Sequence, residues 1–184
     1  VEISCSGRVE GNVCRWNGGS KSRLYFWGGQ ICIQNSRGVD VIGNYVETKA
    51  DDVYPNGITC INQNGRGEGN CGVHGCANLL IERNVIVSPT GSVSGVNYGT
   101  AGWSDYSAFL SAGIAWEGNT YHTSRPDEMV WGWHQPDNFG YMAASLTWEA
   151  WRAQSKDGGG ELVVRHLETF SERHPMAKSV IEAA

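Results

Sequence analysis

A chain of 184 residues and 20.0 kDa has room for one domain with a sizeable core and is too short for a second full one. Hydrophobic residues make up 40%, charged residues only 18%, and glycine fills 25 positions, a turn-rich composition that excludes an all-helical bundle. A net charge of −5 without a Lys/Arg cluster argues against nucleic acid and anionic membrane surfaces as partners, and no apolar run reaches the ~18 residues of a membrane span.

The chain opens at Val1-Glu2-Ile3-Ser4 with neither a charged n-region nor an apolar h-region, and Val1 to Cys5 reads as the middle of a structural repeat. The first clear frame follows as Val9-Glu10-Gly11-Asn12-Val13-Cys14. It returns as Val41-Ile42-Gly43-Asn44-Tyr45-Val46, as Ile81-Glu82-Arg83-Asn84-Val85-Ile86 and as Trp116-Glu117-Gly118-Asn119-Thr120-Tyr121. Each frame predicts two short strands joined by a tight bend, with Asn in or near the left-handed region. The Asn positions are 32, 40 and 35 residues apart, so loops of different length are inserted between constant elements.

A second kind of strand precedes each later frame: Ile31-Cys32-Ile33-Gln34, Gly57-Ile58-Thr59-Cys60-Ile61-Asn62 and, more weakly, Gly95-Val96-Asn97-Tyr98. One period therefore holds at least three strands, with too little chain between them for βαβ crossovers. The economical arrangement is a coil of three strands stacked on the next, equivalent strands pairing in parallel ~4.8 Å apart. Asn12, Asn44, Asn84 and Asn119 then form a ladder of side-chain amides that holds a turn and does no chemistry.

After Tyr121 the rhythm stops. Met129-Val130-Trp131-Gly132-Trp133 predicts a strand with two Trp on one face, and Pro136-Asp137-Asn138 a turn. Ser145 or Thr147 caps a short helix through Trp148 and Trp151 that ends before Gly158-Gly159-Gly160, Leu162-Val163-Val164 adds a strand, and the last apolar residues suit short helices broken at Pro175. The plain role of these aromatics is to cover the last coil.

The rhythm of Gly38 to Val46 and of Asn78 to Ile86 resembles right-handed parallel β-helix proteins of the pectate-lyase-like type, over roughly Val9 to Tyr121. The resemblance implies an all-β, right-handed parallel β-helix of about four to five coils. Residues 1–122 form the coils, and residues 123–184 form an aromatic-rich cap with short helices in the same domain. It implies an extracytoplasmic protein, extracellular or periplasmic, that binds or processes polysaccharide, by lyase or hydrolase chemistry where it is catalytic. The alternative is a structural, adhesive or assembly module, a fragment or a minimal solenoid whose open first coil meets a partner chain or a second copy. An antiparallel β-sandwich is the other fold to consider.

A groove for an acidic sugar needs a base and groups that neutralise a carboxylate, or a pair of carboxylates for hydrolysis. The densest polar stretch, residues 47–54, supplies Lys49, Asp51 and Asp52, matched one coil on by Arg66, Glu68 and His74. Lys49, Asp51, Asp52 and His74 are the catalytic candidates. Arg66 and Glu68 are the substrate-binding ones, with Trp131 and Trp133 as an aromatic platform for sugar rings. Asp51, Asp52 and Glu68 can take a cation, calcium being the one that suits oxygen ligands; no other cofactor is expected. Asp51-Asp52 resembles the paired Asp of β-helix hydrolases without the surrounding motif, and the Arg-x-Pro-x-x-Arg pattern of pectate lyases is absent, because Ser124-Arg125-Pro126-Asp127 does not continue it.

Six cysteines allow fifteen full pairings. Cys32 and Cys60 lie in matching strand frames and are expected to stack in the core. Cys71 and Cys76, in a Gly-rich segment, are the expected disulfide, while Cys71, His74 and Cys76 match no standard zinc spacing. An oxidising compartment suits this inventory.

Overall fold

The computed structural model describes residues 1–17, 26–49, 56–63, 66–89, 93–98, 112–133, 144–154 and 156–164. The first strands are β1 (Cys5–Glu10), β2 (Val13–Arg15) and β3 (Gly29–Gln34). Then come β4 (Arg37–Ile42), β5 (Tyr45–Glu47) and β6 (Asn56–Asn62), a small hairpin of β7 (Glu68–Gly69) and β8 (Gly72–Val73), and β9 (Ala77–Glu82), β10 (Val85–Val87) and β11 (Val93–Tyr98). The C-terminal part holds β12 (Ile114–Glu117), β13 (Thr120–Thr123), β14 (Val130–Trp133), β15 (Ala144–Leu146), the helix α1 (Trp148–Ala153) and β16 (Glu161–Val164).

Strands adjacent in sequence lie in different sheets. One sheet has the order β1-β4-β9-β12, a second β16-β13-β10-β5-β2, and a third β15-β14-β11-β6-β3. The chain visits these sheets in the same cyclic order each time, and equivalent strands of successive rounds pair in parallel, as in Val9 with Val41 and Val41 with Ile81. Antiparallel pairing occurs between β14 and β15 and within the β7–β8 hairpin. This pattern sets aside the antiparallel sandwich, in which hairpin neighbours would share a sheet.

Alternation along each strand turns one residue in two toward a shared interior. Val9, Val41, Ile81 and Trp116 are in register in the first sheet, and Cys14, Val46, Ile86, Tyr121 and Leu162 in the second. The first row ends on Trp116, and beyond it Trp131, Trp148 and Trp151 join Tyr121 in edge-on, tilted and stacked contacts 5.2–6.3 Å between ring centres. Helix α1 docks here. Thr147 is its cap, its hydroxyl accepting from the Ala150 N–H at 3.3 Å, while Ser145 belongs to β15. The expected turn at 136–138 and the helices after residue 166 lie outside the described residues.

The four Asn form the expected ladder. Nδ2 of Asn12 donates to Oδ1 of Asn44 at 3.0 Å, Asn44 to Asn84 at 2.9 Å, and Asn84 to Asn119 at 2.9 Å. Each acceptor oxygen also takes the backbone N–H of the Asn before it, at 2.9–3.0 Å. The Asn residues are not themselves left-handed: the residue before each one is, with φ of +64° at Gly11, +61° at Gly43, +52° at Arg83 and +62° at Gly118. Glycine takes this conformation without a Cβ penalty, which explains three of the four frames, and Arg83 bears the strain.

The cysteines depart from expectation. Cys71 bonds to Cys5, their Cα atoms 5.8 Å apart, and Cys76 is a buried thiol. The hairpin folds back across the first sheet, where Arg37, in register with Cys5, donates through Nη1 to the Cys71 carbonyl at 3.1 Å. Cys76 turns inward instead, its N–H held by Asn62 Oδ1 at 2.8 Å and its Sγ against the Ile61 carbonyl at 3.2 Å. Cys32 and Cys60 do not stack, because Cys32 pairs with Thr59 and Ile33 with Cys60, and a one-residue offset reverses the face. Denatured without reductant, the chain should show four reactive thiols, Cys14, Cys32, Cys60 and Cys76. In the native state Cys60 and Cys76 should react last, since burial pushes both thiols up, that of Cys76 to about 12. Six thiols on denaturation would exclude the Cys5–Cys71 bond.

Candidate functional site

The polar candidates leave the fold at two different corners. Lys49 is exposed just after β5, on the corner that leads into β6, and Asp51 and Asp52 lie outside the described residues. Arg66, Glu68 and His74 sit on the corner that leaves β6 for β9. The Arg66 guanidinium binds Gln63 Oε1 at 2.9 Å, Glu68 is exposed in β7, and the His74 ring packs against Gly69. The His74 backbone is pinned, its N–H donating to the Gly67 carbonyl at 2.9 Å and its carbonyl accepting from Asn35 Nδ2 at 3.1 Å. These corners are at opposite ends of the seven-residue β6, about 20 Å of extended chain apart.

Lys49 is therefore not brought to Arg66, Glu68 and His74. The small rise between neighbouring strands does not bring the two loops together, because they flank the same strand from its two ends. Trp131 and Trp133 are also placed otherwise than a sugar platform requires, at 0% and 3% exposure, with Trp133 edge-on to Trp151 at 5.4 Å. Their faces are spent on covering the core. Among the described residues no group of three His, Cys, Asp or Glu side chains is arranged to hold a metal ion.

Two polar constellations lie outside the candidate residues. In the first, Glu47, buried on β5, accepts from Arg15 Nε at 2.9 Å, Trp16 Nε1 at 3.1 Å and Tyr45 Oη at 2.8 Å. Burial, reinforced by the Glu47 carboxylate, pushes the Tyr45 hydroxyl well above the usual phenol range, so it stays a donor. The Arg15 guanidinium lies 4.7 Å from the centre of the Trp16 ring, which is itself 54% exposed. A signal existed in the sequence: Arg15 and Glu47 each follow a ladder Asn by three residues, and equal offsets stack in register. The cluster is a satisfied ion pair with one aromatic face open to solvent.

The second is the end of the ladder. Each ladder amide donates one Nδ2 hydrogen to the next Oδ1 toward the C-terminus, so the last one needs an acceptor at that side. Asp157 supplies it, with no solvent exposure. Its Oδ2 accepts from Asn119 Nδ2 and from Tyr121 Oη, both at 3.0 Å, and its Oδ1 from the Asn119 N–H at 3.2 Å. No Asn frame marks Asp157 in the sequence. A groove of about 510 Å³ runs beside it, lined by Ile114 to Gly118 of the β12 edge and by Lys156, Gly158 and Gly159. None of the candidates named from sequence lines it.

Comparison with protein-family models, with curated proteins and with solved structures finds no match. No helix among the described residues is long and apolar enough to cross a membrane.

Proposed function

We propose that the chain is a right-handed parallel β-helix of the pectate-lyase-like type that serves as a non-catalytic, extracytoplasmic scaffold or assembly module. The observation that carries this reading is the hydrogen-bonded ladder from Asn12 through Asn44, Asn84 and Asn119 to the buried Asp157. A ladder of that length ties successive rounds of chain into one stiff unit, as stacked repeats do. The Cys5–Cys71 disulfide supports an oxidising home. Separation of Lys49 from His74 by the length of β6 removes the reason for pairing them as base and charge neutraliser.

A second reading, polysaccharide binding, has one observation in its favour: the half-exposed Trp16 ring beside Arg15, a flat face next to a cation that suits an acidic sugar. A panel of neutral and acidic polysaccharides, assayed for binding and for new reducing ends or unsaturated products, separates the two. The scaffold reading expects no turnover, and unchanged behaviour in Lys49→Ala and His74→Ala. Binding that Trp16→Ala abolishes would replace it with the second reading, and turnover lost in His74→Ala would restore a catalytic one.

A further inference from the structure

At the end of the stack that Asp157 closes, the first sheet stops at β12, whereas the second continues to β16 and the third to β15. The chain does pass this level between α1 and β16, but it meets β12 in a single parallel bridge, from Asp157 to Trp116. The turn that follows, Asp157-Gly158-Gly159-Gly160, is closed by the Gly160 N–H on the Asp157 carbonyl at 2.9 Å, and its glycines bring no side chain to fill the lane beside β12. What remains is the groove of about 510 Å³ between Ile114 to Gly118 on one wall and Lys156, Gly158 and Gly159 on the other.

The β12 wall offers backbone hydrogen bonds. The Gly113 carbonyl accepts from the Leu79 N–H at 3.1 Å and the Glu117 carbonyl from the Arg83 N–H at 3.0 Å, so the odd-numbered residues of β12 face β9. Both backbone groups of a strand residue point to one side, and the side alternates along the strand, so those of Ile114 and Trp116 face the groove. Trp116 meets Asp157 there, and no strand pairs with Ile114 on that side. The other wall offers a cation. Lys156 is half-buried with its ammonium 4.5 Å from the centre of the Trp133 ring, and among the described residues no carboxylate stands within ion-pair distance of it. Burial holds its pKa below the ordinary lysine value, as befits a cation without a counter-ion, and an anion beside it would favour the charged form. Glu117 is the one carboxylate of the lining and opposes a ligand with two negative charges.

We propose that this groove binds the C-terminal end of an extended peptide, which adds to β12 as a short parallel strand and sets its terminal carboxylate against Lys156. The Ile114 N–H donates to one peptide carbonyl, and the Ile114 carbonyl accepts the N–H two residues further along the peptide, the spacing of a parallel ladder. A strand running this way meets Lys156 and Asp157 head-on just beyond Ile114, so it has to end there, and the ammonium neutralises the carboxylate that ends it. The reverse direction would bring an N-terminal ammonium to Lys156. A simple anion or a uronic acid matches the charge but not the paired donor and acceptor of Ile114. The site goes beyond the scaffold reading and does not depend on it, since it uses only the β12 edge and Lys156.

Affinity selection from a pool of acetylated tetrapeptides of Ala, Val and Leu with free C-terminal carboxylates, on the oxidised full chain, followed by titration calorimetry of the selected peptides, tests this. The best acids should bind with Kd below ~1 mM. Converting the terminus to a primary amide should weaken them at least roughly tenfold, and methylating the last backbone nitrogen roughly fivefold. Lys156→Gln keeps the stem over Trp133 and removes the charge. It should lose as much affinity for the acid as amidation does and lose none for the amide, whereas Lys156→Arg should retain most of the binding; a role of Lys156 in packing alone would not discriminate acid from amide. Equal thermal unfolding of the variants shows that folding is intact. A pool with no acid tighter than ~1 mM would overturn the proposal, as would acids and amides that bind alike or a Lys156→Gln chain that binds like the native one. Acetate, inorganic phosphate or a short oligouronate binding as tightly as the best peptide would make the groove an anion or sugar site and overturn it too.

Discussion

Asn84→Ala should destabilise the chain by about 3–5 kcal/mol, measured by urea unfolding at neutral pH. Asn84 is fully buried and serves both neighbours: Oδ1 accepts from the N–H and Nδ2 of Asn44, and Nδ2 donates to Asn119 Oδ1 and to the Val41 carbonyl. Truncation leaves two donors of Asn44 and the Val41 carbonyl buried without these partners. Each orphaned group costs ~1–3 kcal/mol. Asn12→Ala is the matched comparison. That residue is exposed at the end of the ladder, water replaces what is lost, and the expected cost is below ~1 kcal/mol. Equal losses at the two positions would show that the amides are not acting as a buried stack.

Asp157→Ala should cost about 2–4 kcal/mol, because it leaves Asn119 with two unaccepted donors and strands the Tyr121 hydroxyl in the core. The same carboxylate predicts a pH dependence of unusual sign for an acid. Burial raises the Asp157 carboxyl above its ordinary value of 3.8, and donors from Asn119, Tyr121 and Gly118 only partly oppose that shift. A group whose folded-state pKa is raised binds its proton more tightly when folded. Its contribution is therefore fully present below the unfolded value and is lost as pH rises through the folded one. Across that window the native chain should lose stability with rising pH relative to Asp157→Asn, whose amide does not titrate. At neutral pH Asp157→Asn should still be the weaker of the two, since one amide face turns an N–H toward an Asn119 donor. An Asp157→Asn chain more stable than the native one at every pH would mean that the ladder does not need a carboxylate at its end.

The ladder was legible because it follows from short-range regularity. A frame repeated four times at unequal spacing fixes which residues are equivalent, and equivalence in a stack becomes contact. The strand at Glu161–Val164 and the Thr147 helix cap follow from period-2 alternation and capping chemistry. The failures are all long-range. Cys71 and Cys76 are near in sequence, yet the hairpin carries Cys71 to Cys5, 66 residues away, while Asn62 turns Cys76 into the core. Lys49 follows the second Asn frame and His74 precedes the third, yet opposite ends of β6 hold them apart. Trp131 and Trp133 have the flat faces a sugar would use, and the core claims them first. Asp157 has no repeat around it, so its place at the end of the ladder shows only when the direction of the amide donors is known.

Asn44, Asn84 and Asn119 occupy successive levels of one stack, and a pair of double-mutant cycles tests this most directly. Alanine at Asn44 and Asn84 together should differ from the sum of the single effects by ~0.5–3 kcal/mol, as expected for side chains sharing hydrogen bonds. Alanine at Asn44 and Asn119, two levels apart or roughly 10 Å, should be additive to within ~0.5 kcal/mol. Additivity for the adjacent pair, or equal coupling for both pairs, would contradict the stacked ladder on which the scaffold reading rests.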